Sequence, residues 1–313
     1  MSPKPAPPRL LLLAAFAAVY LLWGSTYLAI KYAIAGLPPL LMAGGRFVLA
    51  GGILWLVGRL SASYEAPTWQ QWRTSLVVGA LLLVGGNGAV VLAERTLPSG
   101  LAALLVASEP FWVVLLGWWW LGQAPPSGRV VLGLLLGFGG VWLLVGPQLQ
   151  SHAGSGQLLG AGLVLAAAFS WAAGSIYGLR APAARSPVLG AGMQMLCGGA
   201  LLLALGAARG EGRGLHLAQV PASAWLGWGF LVVFGSLVAF TAYSWLLQHA
   251  PPARVATYAY VNPVVAVGLG WALRGEQLSG GLLLGAAVVV GAVVLLTTGG
   301  RPGEPEREAT GEA

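Results

Sequence analysis

The stretch 109–123 reads EPFWVVLLGWWWLGQ, and 153 residues later the stretch 262–276 reads NPVVAVGLGWALRGE. Glu109-Pro110, Gly117-Trp118 and Gly122-Gln123 thus return, in order and at one spacing, as Asn262-Pro263, Gly270-Trp271 and Gly275-Glu276, and Pro98 returns as Pro251. Working outward, Pro39, Leu41, Ala43 and Gly44 recur as Pro187, Leu189, Ala191 and Gly192, a shift of 148 that also lays Trp23 on Trp171. Trp69 and Trp72 recur as Trp225 and Trp228. Each copy holds five apolar runs, an odd number, so the second copy must enter a membrane from the side opposite to the first. Inverted repeats of this kind are the architecture of many secondary transporters.

Composition sets the class of molecule. Of 313 residues 57% are hydrophobic and only 8% charged, whereas soluble domains carry about 25% charged residues. So much apolar surface calls for lipid around it. The net charge of +7 is interleaved with apolar runs, which reads as topology signal and headgroup contact, with no nucleic-acid partner. The single cysteine, Cys197, excludes an intramolecular disulfide and a Cys-rich metal site. His152, His216 and His249 share no ligand spacing, no hydrolase elbow surrounds Gly154-Ser155-Gly156, and no Walker motif occurs. No metal, cofactor, catalytic residue or ATP hydrolysis is therefore expected, and transport would draw on an ion or substrate gradient.

The apolar runs predict spans at 10–31, 39–58, 74–93, 99–121, 128–146, 157–179, 187–206, 223–247, 253–273 and 279–298, each near the ~20 residues that cross ~30 Å of hydrocarbon. The expected fold is an all-α membrane protein of ten transmembrane helices, two inverted five-helix repeats covering 1–150 and 151–298. Residues 299–313, rich in Pro, Gly and Glu, read as a disordered cytoplasmic tail. With the N terminus in the cytoplasm, ten basic residues fall inside and five (Lys31, Arg95, Arg209, Arg213 and Arg274) outside, which places both termini inside. Trp69, Trp72, Trp225 and Trp228 stand at span entrances as interface anchors. The 48 glycines read mainly as sites of close helix approach.

Polar residues inside the spans carry the chemistry. Glu109 lies ten residues past Ser99, ~15 Å deep and near the midplane, and no other acid reads as so deep. Arg46 is seven residues past Pro39, ~10 Å from the same face, so its stem can reach Glu109. Ions at that depth face a bundle interior or a water-filled cavity and mark a pathway by default; a fixed structural bridge is the alternative. The repeat maps Glu109 onto Asn262 and Arg46 onto Gln194, so the first half holds a charged couple where the second holds neutral amides. Desolvation favours a neutral Glu109 while Arg46 or a cationic substrate favours a charged one, which makes it a candidate proton–substrate exchange site. Trp23, Ser25, Tyr27, Trp171, Ser175 and Tyr177, with Tyr258 and Tyr260 flanking Asn262, are candidate cavity-lining groups for a small-molecule substrate, or else ordinary packing. Pro110 and Pro263 are expected to interrupt their spans beside Glu109 and Asn262.

The Trp23-Gly24-Ser25-Thr26-Tyr27 segment, the Ala43-Gly44-Gly45-Arg46-Phe47 segment and the paired elements of the opening strings together resemble EamA-type members of the drug/metabolite transporter superfamily, over roughly 10–298. The resemblance implies a ten-helix inner-membrane carrier of small metabolites or drugs, commonly an exporter. Gly122-Gln123 departs from the Gly-Glu that closes span four in many relatives. An importer of the same fold and a non-transporting membrane scaffold are the alternatives that the residues leave open.

Overall fold

The computed structural model describes residues 8–62, 64–97, 99–145, 155–213, 215–274 and 280–298; the expected tail at 299–313 and the Gly275-Glu276 element lie outside them. Among the described residues the chain is helical, without strands. In chain order the helices are α1 Arg9–Ile34, α2 Pro39–Arg59, α3 Trp69–Ala93, α4 Ser99–Val106, α5 Glu109–Leu121, α6 Gly128–Val145, α7 Ser155–Arg180, α8 Pro187–Ala208, α9 Ala222–His249, α10 Pro252–Val255, α11 Tyr258–Arg274 and α12 Gly280–Thr298. Among the described residues, seven helical stretches are long and apolar enough to cross a membrane: α1, α2, α3, Ala102–Leu121, Leu158–Arg180, α8 and α9. Shorter apolar helices occupy Gly128–Leu143 and Leu283–Leu296. Large apolar side chains such as Leu10, Trp119, Leu158 and Leu226 point outward, as lipid contact requires.

Local chemistry explains several ends. Thr68 and Gln71 cap the start of α3 reciprocally, each side chain accepting from the other's backbone N–H. The start of α2 is capped from a distance: Oε2 of Glu211, in the loop after α8, accepts from the backbone N–H of Leu40 (2.8 Å) and Leu41 (3.2 Å), an anion at the positive end of a helix. The C-terminal end of α3 is closed by Lys31, whose Nζ donates to the carbonyls of Glu94 (2.5 Å) and Leu97 (2.9 Å). Gly122, at φ 65°, ends α5 in the left-handed conformation that glycine adopts without strain.

In lipid, helices gain little from mutual burial of apolar groups, so they associate where small residues let backbones meet. The α2–α8 crossing shows how close. A Cβ on Gly44 would lie 2.9 Å from the carbonyl oxygen of Gly199, and one on Gly199 would lie 3.0 Å from that of Gly44. Gly51 and Gly192 face each other in the same way, at 2.9 and 3.0 Å. The shift of 148 maps Gly44 onto Gly192 and Gly51 onto Gly199, so each glycine meets the counterpart of the other, an isologous contact.

Two kinds of irregularity position the site. The chain breaks at 107–108, between α4 and α5, because Pro110 has no N–H to give to the carbonyl of Val106, where α4 ends. The break leaves Glu109 in the first turn of α5, at the positive end of its dipole. The matching expectation for Pro263 needs correction. Pro263 sits inside α11, and the interruption falls earlier, at 256–257 between α10 and α11, where the Thr257 hydroxyl donates to the carbonyl of Arg254 (2.6 Å). Both α3 and α9 also contain π-helical intervals, Ala80–Gly88 and Leu231–Val238. Their loosened ladders leave carbonyls for neighbours: the Ser170 hydroxyl donates to Leu81 O (2.8 Å), and Trp23 Nε1 donates to Gly235 O (3.1 Å).

Candidate substrate cavity

These irregularities surround one internal space. Trp23 and Tyr27 of α1, Arg46 and Phe47 of α2, and Gly86 and Asn87 of the first π-interval line it. Glu109 of α5, Trp171 of α7, Gly235 of the second π-interval, and Tyr258 and Asn262 of α11 also line it. The cavity measures about 80 Å³, room for a few ordered waters. Its polar groups are withdrawn from solvent: Glu109 is 1% exposed and Arg46 4%.

The two charges share the cavity without pairing. No ion pair joins Arg46 to Glu109: the Tyr258 hydroxyl donates to Glu109 Oε2, Oε1 has no partner, and Nε and Nη1 of Arg46 have none either. The Arg46 guanidinium lies over the Phe47 ring instead, 4.2 Å from its centroid. Oδ1 of Asn262 and Oδ1 of Asn87 are likewise buried and unpartnered. A donor group and several acceptors therefore converge from α2, α3, α5 and α11 with hydrogen-bonding capacity unused, a costly arrangement in a resting core and a useful one for a ligand. Aromatic rings wall the space. Trp23 meets Tyr258, Tyr243 and Trp171 at centroid distances of 4.8, 5.0 and 5.4 Å.

Beyond this wall lies a second cavity of about 500 Å³, lined by Ser175, Arg185, Gln194, Tyr243, Ser244 and Gln248 among others. Its Gln248 and Arg185 are exposed, so it forms a vestibule at the end of the bundle that carries the loop between α7 and α8. The partition between the two spaces is hydrogen-bonded. Trp171 Nε1 donates to the Tyr243 hydroxyl (2.9 Å), which also bonds the Ser175 hydroxyl (2.6 Å).

Of the residues singled out in the sequence, Glu109, Arg46, Asn262, Trp23, Tyr27, Trp171 and Tyr258 are brought together in the central cavity. Gln194 and Ser175 belong to the vestibule, so the repeat counterpart of Arg46 is not beside it. Ser25 bonds back to the carbonyls of Leu21 and Leu22 in its own helix. Tyr260 packs against α6, its hydroxyl donating to Leu134 O (3.3 Å), and Tyr177 packs beside Trp120; these three line neither space. Asn87, Tyr243 and Glu94 were not among the candidates. Asn87 is a single amide inside an apolar run, a signal the sequence does carry, and Glu94 sits one residue past the expected end of span three.

The model of the EamA-like transporter family matches this chain twice, at residues 9–146 and 158–298. Among curated proteins the chain is 39% identical over 291 residues to the uncharacterized inner membrane transporter YedA of Escherichia coli strain K12, covering 92% of this chain and 91% of that protein. It is 27% identical over 280 residues to a probable amino-acid metabolite efflux pump of the same strain, covering 87% of this chain and 90% of that one. Protein PecM of Dickeya dadantii is 28% identical, with 88% of each chain covered. A solved crystal structure shares the fold at a TM-score of 0.73 and 21% identity, over 93% of this chain and 98% of the other. With its apolar helices, its two family matches and its likeness to the inner membrane transporter YedA, the chain is an integral membrane transporter that belongs to the EamA-like transporter family.

Proposed function

We propose that this transporter is a secondary carrier of ten transmembrane helices in two inverted five-helix repeats, both termini cytoplasmic, which exports small metabolites, amino acids or amphipathic drugs by alternating access coupled to protons. The observation that carries this reading is the cavity in which Arg46, Asn87, Glu109 and Asn262 converge with unmet hydrogen-bonding capacity. The two family matches and the isologous α2–α8 contact support the inverted repeat. Export takes its support from the relative named as a metabolite efflux pump, and the orientation from the bias of basic residues. In this reading Glu109 holds a proton or releases it to make way for a substrate charge, Arg46 receives an anionic group, and the aromatic wall takes the apolar part of the substrate. The vestibule is the route between the cavity and the face of the α7–α8 loop.

Purified protein in proteoliposomes, loaded with an unlabelled panel of amino acids and amphipathic cations, should accumulate the labelled form of its substrate by counterflow. Glu109→Gln should keep that exchange and lose uptake driven by a pH gradient. PH-driven transport at the wild-type rate in this variant would remove Glu109 as the coupling group, and counterflow with no compound in the panel would count against the substrate classes named. Greater accumulation in energised cells that overexpress the protein than in control cells would make it an importer.

A further inference from the structure

Glu94 is an acid that the central cavity does not use. It caps the C-terminal end of α3, is 0% exposed, and neither of its carboxylate oxygens has a hydrogen-bond partner. A bare carboxylate there is opposed both by burial and by the negative end of the helix. Lys31 is the cation at hand, but its ammonium group is engaged with the backbone carbonyls of Glu94 and Leu97.

Helical register ties this pair to the cavity. Tyr27 is one turn before Lys31 on α1, Val90 is one turn before Glu94 on α3, and both Tyr27 and Val90 line the space that holds Glu109. Glu94 thus sits about one turn, ~5.4 Å, beyond the cavity, towards the loops that follow α1 and α3. The Tyr27 hydroxyl lies beside the Asn262 side chain, and Tyr27 shares the cavity wall with Val90, one turn from Glu94, and with Glu109. Lys31 and Tyr27 are the titratable groups that face Glu94 from α1. Gly160 and Val164, which α7 packs against this end, bring none, and Arg95 next in the chain is exposed.

We propose that Glu94 is a second proton-carrying group, which takes up a proton at the face of the loops after α1 and α3 and passes it by way of the Tyr27 hydroxyl into the cavity, to Glu109. One proton moves: Tyr27 is hydrogen-bonded to neither acid in this conformation, so the neutral Glu94 carboxyl gives the proton up across a bridging water, the Tyr27 oxygen accepts it as its own proton leaves through the cavity, and the Glu109 carboxylate becomes neutral. Lys31 then faces the charge left on Glu94. Relay and cap use the same lysine, so the proton's arrival is sensed where α3 ends. The inference rests on the proton-coupled reading above, and in the proposed orientation that face is the outer one, from which a proton driving export arrives.

The test needs no substrate. Purified protein is subjected to a rapid acidification while the infrared bands of protonated carboxyl groups are followed, with Glu94→Gln and Glu109→Gln used to assign them. Glu94→Gln should slow protonation of Glu109 by about a hundredfold or more, the scale of losing one positioned proton-transfer group, while Glu109→Gln leaves protonation of Glu94 at its wild-type rate. Tyr27→Phe, which keeps both acids, should slow Glu109 and spare Glu94, and it serves where Glu94→Gln does not fold. Protonation of Glu109 at the wild-type rate in either variant overturns the relay alone. A Glu109 band that does not respond to pH in the wild-type protein overturns the proton-coupled function and the relay with it.

Discussion

The Tyr258 hydroxyl donates to Oε2 of Glu109, and in doing so it ties the second family-matched segment to the first at the floor of the cavity. Glu109 reaches this position because Pro110 ends the preceding helix, and Tyr258 because α11 restarts after the 256–257 interruption. Both partners are therefore placed by breaks in helices, the usual device by which membrane carriers bring backbone and polar groups to the midplane.

Removing the hydroxyl isolates the carboxylate. Tyr258→Phe keeps the ring in contact with Trp23 and leaves both oxygens of Glu109 unpartnered, a loss of about 1.5–3 kcal/mol for a hydrogen bond to a charged acceptor. Initial rates of pH-driven transport should fall about tenfold to a hundredfold at unchanged membrane yield. A wild-type rate would mean that the bond is packing and plays no part in turnover.

The partition between the two spaces makes a second expectation. Tyr243→Phe deletes the bonds to Trp171 and Ser175 in one step while conserving the ring contacts with Trp23 and Tyr258. Access from the vestibule to the cavity should increase. In a Cys197→Ser background with Ala168→Cys on the cavity wall, alkylation by a membrane-impermeant maleimide should become several-fold faster once Tyr243 is changed. An unchanged rate would show that the barrier lies elsewhere.

How much of this was legible in the sequence depends on the scale of the feature. The all-helical membrane fold could be read because membrane helices must satisfy their own backbone and so announce themselves as long apolar runs. Glu109, Arg46 and Asn262 could be read because a polar side chain inside such a run is conspicuous. Which face a residue presents was not legible: Ser25, Tyr177 and Tyr260 neighbour cavity residues in sequence but rotate away from the space, and hydrophobicity on all sides of a membrane helix gives no periodic signal to orient it. The Arg46–Glu109 pairing failed for a related reason, since depth alone says nothing of lateral position, and Phe47 and Tyr258 were nearer partners. Glu94 escaped because covering it depends on α1 and α7, which are distant in the chain.

Rotation of this kind can be checked by substitution. Trp23→Ala and Trp171→Ala remove cavity wall and should cut counterflow by an order of magnitude or more, about the effect of losing a buried aromatic anchor. Tyr260→Phe, which loses only the bond to Leu134 O outside the cavity, should cost about 1 kcal/mol of stability and leave counterflow near wild type. Equal losses in all three variants would contradict the assigned wall.

The sharpest test of the architecture uses two adjacent glycines. A Cβ on Gly51 would come within 2.8 Å of the backbone nitrogen of Leu196 and 2.9 Å of the Gly192 carbonyl, atoms that cannot yield without moving α8, whereas a Cβ on Gly52 meets nothing within 4 Å. Gly51→Leu should therefore wedge α2 from α8 and cost at least ~3 kcal/mol, the upper end of overpacking penalties. Gly52→Ala should be neutral or stabilising by up to ~1 kcal/mol, since alanine is the better helix former. Thermal unfolding in detergent, followed by size-exclusion profile, distinguishes them. Similar midpoints for the two variants would refute the close α2–α8 crossing and, with it, the isologous contact that supports the inverted repeat.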